Sequence, residues 1–384
     1  MKVYFDNAAT TQIHPKVLEK MLHIMNDDFG NPSSFHSIGR KAKVAIEEAR
    51  EIAAEFIGAN PSEIYFTSGG TESINFALNG IAKTNLDDTG RKHLVTNQIE
   101  HKAVLEKFNN LSHEGFKTTF IPSEKSGFID PHSIANAVTP RTSLVSTMLI
   151  NNEIGTINDI PIISQMISQD DLYLFTDSVQ AFGKIRINVN ELNVDSLCAS
   201  AHKLYGPKGI GLLYVKSGTP LSPLLYGGSQ ERNRRAGTEN VAGIVGFAEA
   251  IRIADDEMEE NYSAVKNLNK YFIQNLLDQF GDTIEINGGD NTSPYIFSVT
   301  FKSDFYNNDS EGMLMFLDIN GISASQGSAC TSGTLKASHV ILGISKSTKD
   351  ANGTMRFSFS PQNTFEEVEY VIDILVKLSK NFRK

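Results

Sequence analysis

Lys203 sits in Ser200-Ala201-His202-Lys203-Leu204-Tyr205-Gly206-Pro207-Lys208-Gly209, a glycine-punctuated loop directly after an apolar run. A lysine held there is partly desolvated, which lowers its pKa and frees the amine to form a Schiff base. Ser200 and His202 beside it are donors of the kind a phosphate needs. An amine and phosphate donors on one loop suit pyridoxal phosphate, although a lone loop lysine is more often a solvated charge.

Phe66-Thr67-Ser68-Gly69-Gly70-Thr71-Glu72 ends a second apolar run, turns on Gly69 and Gly70, and opens a helix. Unused N–H groups at that helix start favour an anion, and the Thr71 hydroxyl adds a donor. An ordinary capped turn is the alternative reading. The spaced glycines of a dinucleotide fingerprint and the lysine of a Walker loop are both missing. Asp177, in Leu174-Phe175-Thr176-Asp177-Ser178-Val179-Gln180, closes another apolar run. A carboxylate there can keep a pyridinium nitrogen protonated and make the ring an electron sink, or it can cap a helix. His101 follows Glu100 at a further helix start, where an imidazole can stack on a ring or move protons. Asn151-Asn152-Glu153-Ile154-Gly155 offers amide groups to the same crevice.

Cys330 lies in Gln326-Gly327-Ser328-Ala329-Cys330-Thr331-Ser332-Gly333, among small, polar, turn-forming residues. That setting predicts an exposed, mobile thiol able to act as a nucleophile. Cys198, inside an apolar run, is expected to be inert packing. Arg356, in Met355-Arg356-Phe357-Ser358-Phe359, needs an anionic partner: a bound carboxylate, or an internal Asp or Glu. The basic loop Arg234-Arg235-Ala236-Gly237-Thr238-Glu239-Asn240 can help to neutralise a phosphate.

The elements that must position these groups follow from the hydrophobic pattern. Between Ile64 and Val215 seven short apolar runs alternate with helical stretches, the pattern of an α/β fold on a largely parallel sheet. An amphipathic helix over Gly39 to Ile57 precedes them, and a long helical stretch from Asn240 to Phe280, broken near Asn261, follows. Ile284 to Asn287, Ile296 to Phe301 and Met355 to Phe359 read as strands of a second, mixed sheet, and Phe365 to Phe382 as a closing helix. The organisation expected is a large α/β domain over 13–255 and a smaller α+β domain made of 1–12 and 256–384. The chain has 384 residues, 40% hydrophobic and 21% charged, as an ordinary globular protein does. A net charge of −10 argues against nucleic acid as a direct partner. No apolar run is long enough to span a membrane, and no signal-peptide pattern opens the chain. With two cysteines and no disulfide framework, a reducing cytoplasm is expected, and no metal site is.

Taken together, these segments resemble the cysteine desulfurases of the NifS/IscS type, class V, fold-type I pyridoxal-phosphate enzymes. The matching motifs run in order over nearly the whole chain. They begin with Asp6-Asn7-Ala8-Ala9-Thr10-Thr11, Gly30-Asn31-Pro32-Ser33-Ser34, Ser68-Gly69-Gly70-Thr71-Glu72-Ser73 and Glu100-His101. They continue through Asn151-Asn152-Glu153-Ile154-Gly155, Asp177-Ser178-Val179-Gln180, Ser200-Ala201-His202-Lys203, Arg235-Ala236-Gly237-Thr238 and Gly327-Ser328-Ala329-Cys330. The resemblance implies pyridoxal 5′-phosphate held as a Schiff base on Lys203, with Asp177 on the pyridinium and Gln180 on the ring oxygen. His101 would stack on the ring, and Asn152 would orient cofactor and substrate. Gly70, Thr71, Ser200 and His202 would bind the phosphate, with Thr238 reaching it from the other subunit of a homodimer. Arg356 would take the substrate carboxylate, and Cys330 the sulfur.

The reaction so implied turns L-cysteine into alanine and a persulfide on Cys330, for transfer to iron–sulfur or thiolation pathways. Ser229 and Asn233 stand where relatives often have glycine. The chain stops at Lys384 without the C-terminal extension that docks an iron–sulfur scaffold, which leaves the sulfur acceptor open. A selenocysteine lyase, a class V aminotransferase and a catalytically silent binding protein of the same fold are the competing readings.

Overall fold

The apolar runs pair into one sheet, and its central strands are too hydrophobic to leave a face in water, so helices must cover both sides. The computed structural model describes residues 1–327 and 337–384. Its first strands are β1 (Val3–Tyr4), β2 (Ile64–Thr67), β3 (His93–Asn97), β4 (Lys117–Ile121), β5 (Thr142–Ser146) and β6 (Tyr173–Asp177). After these come β7 (Ser196–Ser200), β8 (Gly211–Val215), β9 (Ile284–Asn287), β10 (Ile296–Phe301), β11 (Ile322–Ser323) and β12 (Thr354–Ser358).

Strands β2 to β8 make a seven-stranded sheet in the order β2-β8-β7-β6-β5-β3-β4. Only β8 runs against its neighbours, β2 and β7; the other pairings are parallel. Every residue of β3, β5, β7 and β8 is buried, as strands covered on both faces must be. The expected α/β fold with its mostly parallel seven-stranded sheet is therefore the observed one. Helix Gly70–Thr89 crosses one face and packs on β5, β7 and β8.

Two expectations need correction. Val241–Phe280 is a single 40-residue helix, with no break at Asn261. The chain has neither glycine nor proline between Phe247 and Phe280, so nothing interrupts the hydrogen-bond ladder. The second sheet, β12-β10-β9, is antiparallel throughout rather than mixed. A parallel bridge between Asp6 and Ser358 at its edge is the closest approach to mixed pairing.

That bridge shows where the chain begins. β1 pairs in parallel with β11, so the N-terminus lies on the C-terminal part of the molecule. The chain then crosses to the large sheet, where the Thr11 N–H bonds the His202 carbonyl at 2.9 Å. Among the described residues no helix is long and apolar enough to cross a membrane.

A buried ion pair fixes the loop that leads to Thr238. Arg50 and Glu231, with side chains 5% and 3% exposed, meet at 2.9 Å. Glu231 also accepts the Phe66 N–H at 3.0 Å, which ties the loop to β2. Asn233 follows with φ 61°, a left-handed backbone that glycine adopts freely and asparagine tolerates, so it can replace glycine there. Removing one partner strands a buried charge. Glu231→Ala should therefore cost about 3–5 kcal/mol, measured as a lowered urea midpoint with unchanged slope.

Candidate active site

In an open parallel sheet the carboxyl ends of the strands surround a crevice, because each chain leaves its strand there to enter a helix or loop. Here β2 ends at the turn into Gly70, β3 runs out to Glu100-His101, and β6 ends on Asp177. β7 ends on Ser200 and passes into the short turn Ala201–Lys203. These ends enclose a cavity of about 170 Å³. Lys203, Asp177, His101 and Asn152 line it, as do Gln180 and Arg356. Its remaining polar wall is Gly70, Thr71, Ser200 and His202.

One end of the cavity is built from the helix start. The first N–H groups of a helix have no partner inside it. A Cβ on Gly70 would stand 2.9 Å from the Val179 side chain and 3.8 Å from that of Ser200, so glycine keeps this wall open. His202 closes the same end, its Nδ1 3.2 Å from the Thr10 hydroxyl. Burial, then the charges of Lys203, Lys208 and Lys184, push its pKa down to about 4, so the ring is neutral. Arg235 does not face this wall. Its Nε pairs with Glu72 at 2.8 Å. Burial works to raise the Glu72 pKa, but bonds from Arg235 and Ser68 more than offset it and hold the acid below its ordinary range.

Lys203 points its Nζ at the N-terminal segment, donating to the carbonyls of Ala8 at 2.5 Å and Ala9 at 2.7 Å. His101 caps helix Lys102–His113, its Nδ1 accepting the Ala103 N–H at 3.1 Å. That bond puts the proton of the neutral ring on Nε2.

Asp177 occupies the opposite, buried end. Its Oδ1 accepts the Val179 N–H at 2.9 Å and the Cys198 thiol at 3.6 Å. Cys198 is therefore more than filler: it is fully buried and spends its proton on Asp177. Burial, then the Asp177 charge, push its pKa well up, so it offers no thiolate. Glu100 lies below, fully buried, its pKa raised to about 8 by burial and by Asp177. It therefore holds its proton at neutral pH.

Arg356 resolves its need for an anion internally. One Nη bonds Asp6 at 2.9 Å and the other the Asn152 carbonyl at 2.8 Å. Its Nε and the Asn152 Oδ1 are buried with no hydrogen-bond partner among the described residues. Such orphaned groups in a cavity wall fit a bound polar ligand.

Cys330 lies outside the described residues, but the chain leading to it does not. Ser325 and Arg356 exchange backbone bonds of 3.1 and 2.6 Å, and the Ser325 hydroxyl bonds Asp6 at 2.8 Å. On the far side the Ser338 hydroxyl bonds Glu153, next to Asn152. Thr238 does not join the cavity of its own chain; it is exposed. The groups missed by sequence reasoning are Asp6, the Ala8 and Ala9 carbonyls, and Lys184, which bonds Gln180 at 3.0 Å. Only the motif Asp6–Thr11 signalled the first three, and it carried no assigned role.

The geometry has close parallels among known proteins. Residues 3–371 match the Aminotransferase class-V family. A cysteine desulfurase IscS of Dictyoglomus turgidum is 43% identical over all of this chain and 95% of its own length. A human cysteine desulfurase is 37% identical over all of this chain and 82% of its own. The chain belongs to the class-V aminotransferase family, among its cysteine desulfurases. A solved NifS-like protein superimposes with TM-score 0.90 at 36% identity, covering 99% of both chains. SspA, solved in complex with cysteine, covers 94% of this chain and 100% of its own with TM-score 0.83 at 36% identity.

This family is pyridoxal-phosphate-dependent. The residues present fit that cofactor: an amine on the cavity wall, a buried acid opposite, an open helix start, and an orphaned amide oxygen. One consequence concerns the protein without cofactor. His202 is neutral when folded and protonates near 6.5 when unfolded. In the window between these values the unfolded chain holds more protons, so stability falls as pH drops from about 6.5 toward 4. His202→Gln should flatten that acid-side fall, read as urea midpoints of cofactor-free protein across the window.

Proposed function

We propose that the chain is a pyridoxal-phosphate-dependent cysteine desulfurase that takes sulfur from L-cysteine, releases alanine, and carries the sulfur as a persulfide on Cys330. The observation that carries this reading is the convergence of Lys203, Asp177 and Arg356 on one cavity. In this reading Lys203 holds the cofactor covalently as a Schiff base through Nζ, Asp177 meets the ring nitrogen, and Gln180 the ring oxygen. Gly70, Thr71, Ser200 and His202 bind the phosphate, and Thr238 reaches it from the second copy of a homodimer. The exposure of Thr238 leaves it available for that role.

When bound, the cofactor supplies an electron sink for the pair left at Cα. Arg356, braced by Asp6, takes the substrate carboxylate on its unpartnered edge, and Asn152 orients the substrate beside it. Once the substrate amine is bound in its place, the Lys203 amine would be the base that takes the Cα proton. His101 would stack on the ring, with its Nε2 proton available to the reacting centre. The Cys330 thiolate then attacks the substrate sulfur. An S–S bond would form as the Cβ–S bond breaks with its pair going to carbon, and a proton at Cβ together with return of the Cα proton from Lys203 would give alanine. The persulfide passes to an acceptor protein. With two cysteines in the chain, a reducing compartment such as the cytoplasm suits a thiol that must stay free.

Incubation with L-cysteine tests the assignment through alanine release and mass spectrometry of the cysteine peptides. The gain of one sulfur atom is expected on the Cys330 peptide, and a gain on the Cys198 peptide instead would overturn the reading. Lys203→Ala should bleach the purified protein and lower turnover by about 10³-fold or more. Cys330→Ser should keep the cofactor and abolish sulfur release. Preserved selenium release from selenocysteine in that variant is the outcome that distinguishes a lyase.

A further inference from the structure

Gln180 and Lys184 are both buried, at 5% and 7% exposure, yet the reaction as described gives Lys184 no task. The chain brings them together by two successive turns after β6, in which the Phe182 N–H bonds the Ser178 carbonyl and the Lys184 N–H that of Ala181. Gly183 makes the second turn possible, with φ 76° and no room for a Cβ, which would stand 2.9 Å from Leu204. Lys184 Nζ then donates to Gln180 Oε1 at 3.0 Å and lies 5.6 Å from the centre of the Tyr295 ring. On its other side the Gln180 amide donates through Nε2 to the Ala8 carbonyl at 2.9 Å.

These two bonds decide which way the amide points. A carbonyl can only accept, so Ala8 requires the NH₂ group, and a lysine donor requires the oxygen. The second N–H of that NH₂ is left to donate into the cavity that Gln180 lines. Without Lys184, Oε1 would be a buried acceptor with no partner, and rotating the amide would relieve it. Burial, then the charges of Lys203 and Arg356, bring the Lys184 pKa down to about 7, and the amine donates whether or not it is protonated.

We propose that Lys184 is a positioning residue that locks the Gln180 amide with its NH₂, rather than its oxygen, toward the ring oxygen of the bound cofactor. This rests on the function proposed above, in which Gln180 meets that oxygen. The test uses the full chain stripped of cofactor and titrated with two ligands that form no covalent link. These are pyridoxine 5′-phosphate and its 3-deoxy analogue, which lacks the ring hydroxyl. Wild-type protein should prefer the hydroxylated ligand by about fivefold, the size of one hydrogen bond.

Lys184→Met should remove that preference by weakening only the hydroxylated ligand, and Gln180→Ala should do the same. The double variant should lose no more than either single one. Equal weakening of both ligands, an intact preference in Lys184→Met, or additive losses would each overturn the proposal. Should methionine prevent folding, Lys184→Gln, too short to reach Oε1, is expected to show the same selective loss. Failure of wild-type protein to bind either ligand would instead count against the function itself.

Discussion

The N-terminal segment Asp6–Thr11 is the piece on which the rest of the site depends. It is anchored at one end to the second sheet through the Asp6–Ser358 bridge, and at the other to the Lys203 loop through Thr11. Between those anchors it presents bare carbonyls and one carboxylate. The carbonyls of Ala8 and Ala9 receive the Lys203 amine, and the Ala8 carbonyl also receives the Gln180 amide. Asp6 receives the Arg356 guanidinium and the Ser325 hydroxyl. Buried donors of this kind are costly unless satisfied, so each locks its partner's position. Six residues at the start of the chain thereby set the spacing between the amine and the guanidinium.

Charge is arranged around this brace in two camps. Lys203, Lys184, Arg356 and His202 gather near the N-terminal segment, while Asp177 and Glu100 lie close to each other at the ends of β6 and β3. Crowding and burial drive the groups that can neutralise to do so. His202 loses its proton, and Glu100 keeps its own. Asp177 and Arg356 line the same cavity. A phosphate dianion and a substrate carboxylate would complete the balance, each meeting an excess of donors already in place.

Much of this was legible in the residues themselves. All seven apolar runs became strands of the large sheet, because continuous hydrophobicity leaves few other ways to satisfy both backbone and solvent. Many of the cavity residues were legible too, since Thr71, His101, Asp177, Ser200 and Lys203 stand at or just past strand ends, where an α/β fold puts its crevice. Less legible was anything that depends on partners far apart in the chain. Arg356 asked for an anion, but its answer, Asp6, lies 350 positions away. Arg235 looked free to meet a phosphate and is instead claimed by Glu72, and Cys198, inert packing as expected, also donates to Asp177. The break expected near Asn261 was an error of another kind, since a polar residue was taken as a boundary where no backbone reason for one existed.

The sequence alone determined the class of fold, the family, and the types of group that meet at the strand ends, because hydrophobic period and motif order are local and additive along the chain. Only the tertiary structure decided protonation and orientation: which histidine is neutral, which acid keeps its proton, which way the Gln180 amide faces. Those depend on burial and on the nearest charges and hydrogen-bond partners, contributed by residues distant in sequence. Coulomb and desolvation energies follow distance in space, and no spacing along the chain encodes it.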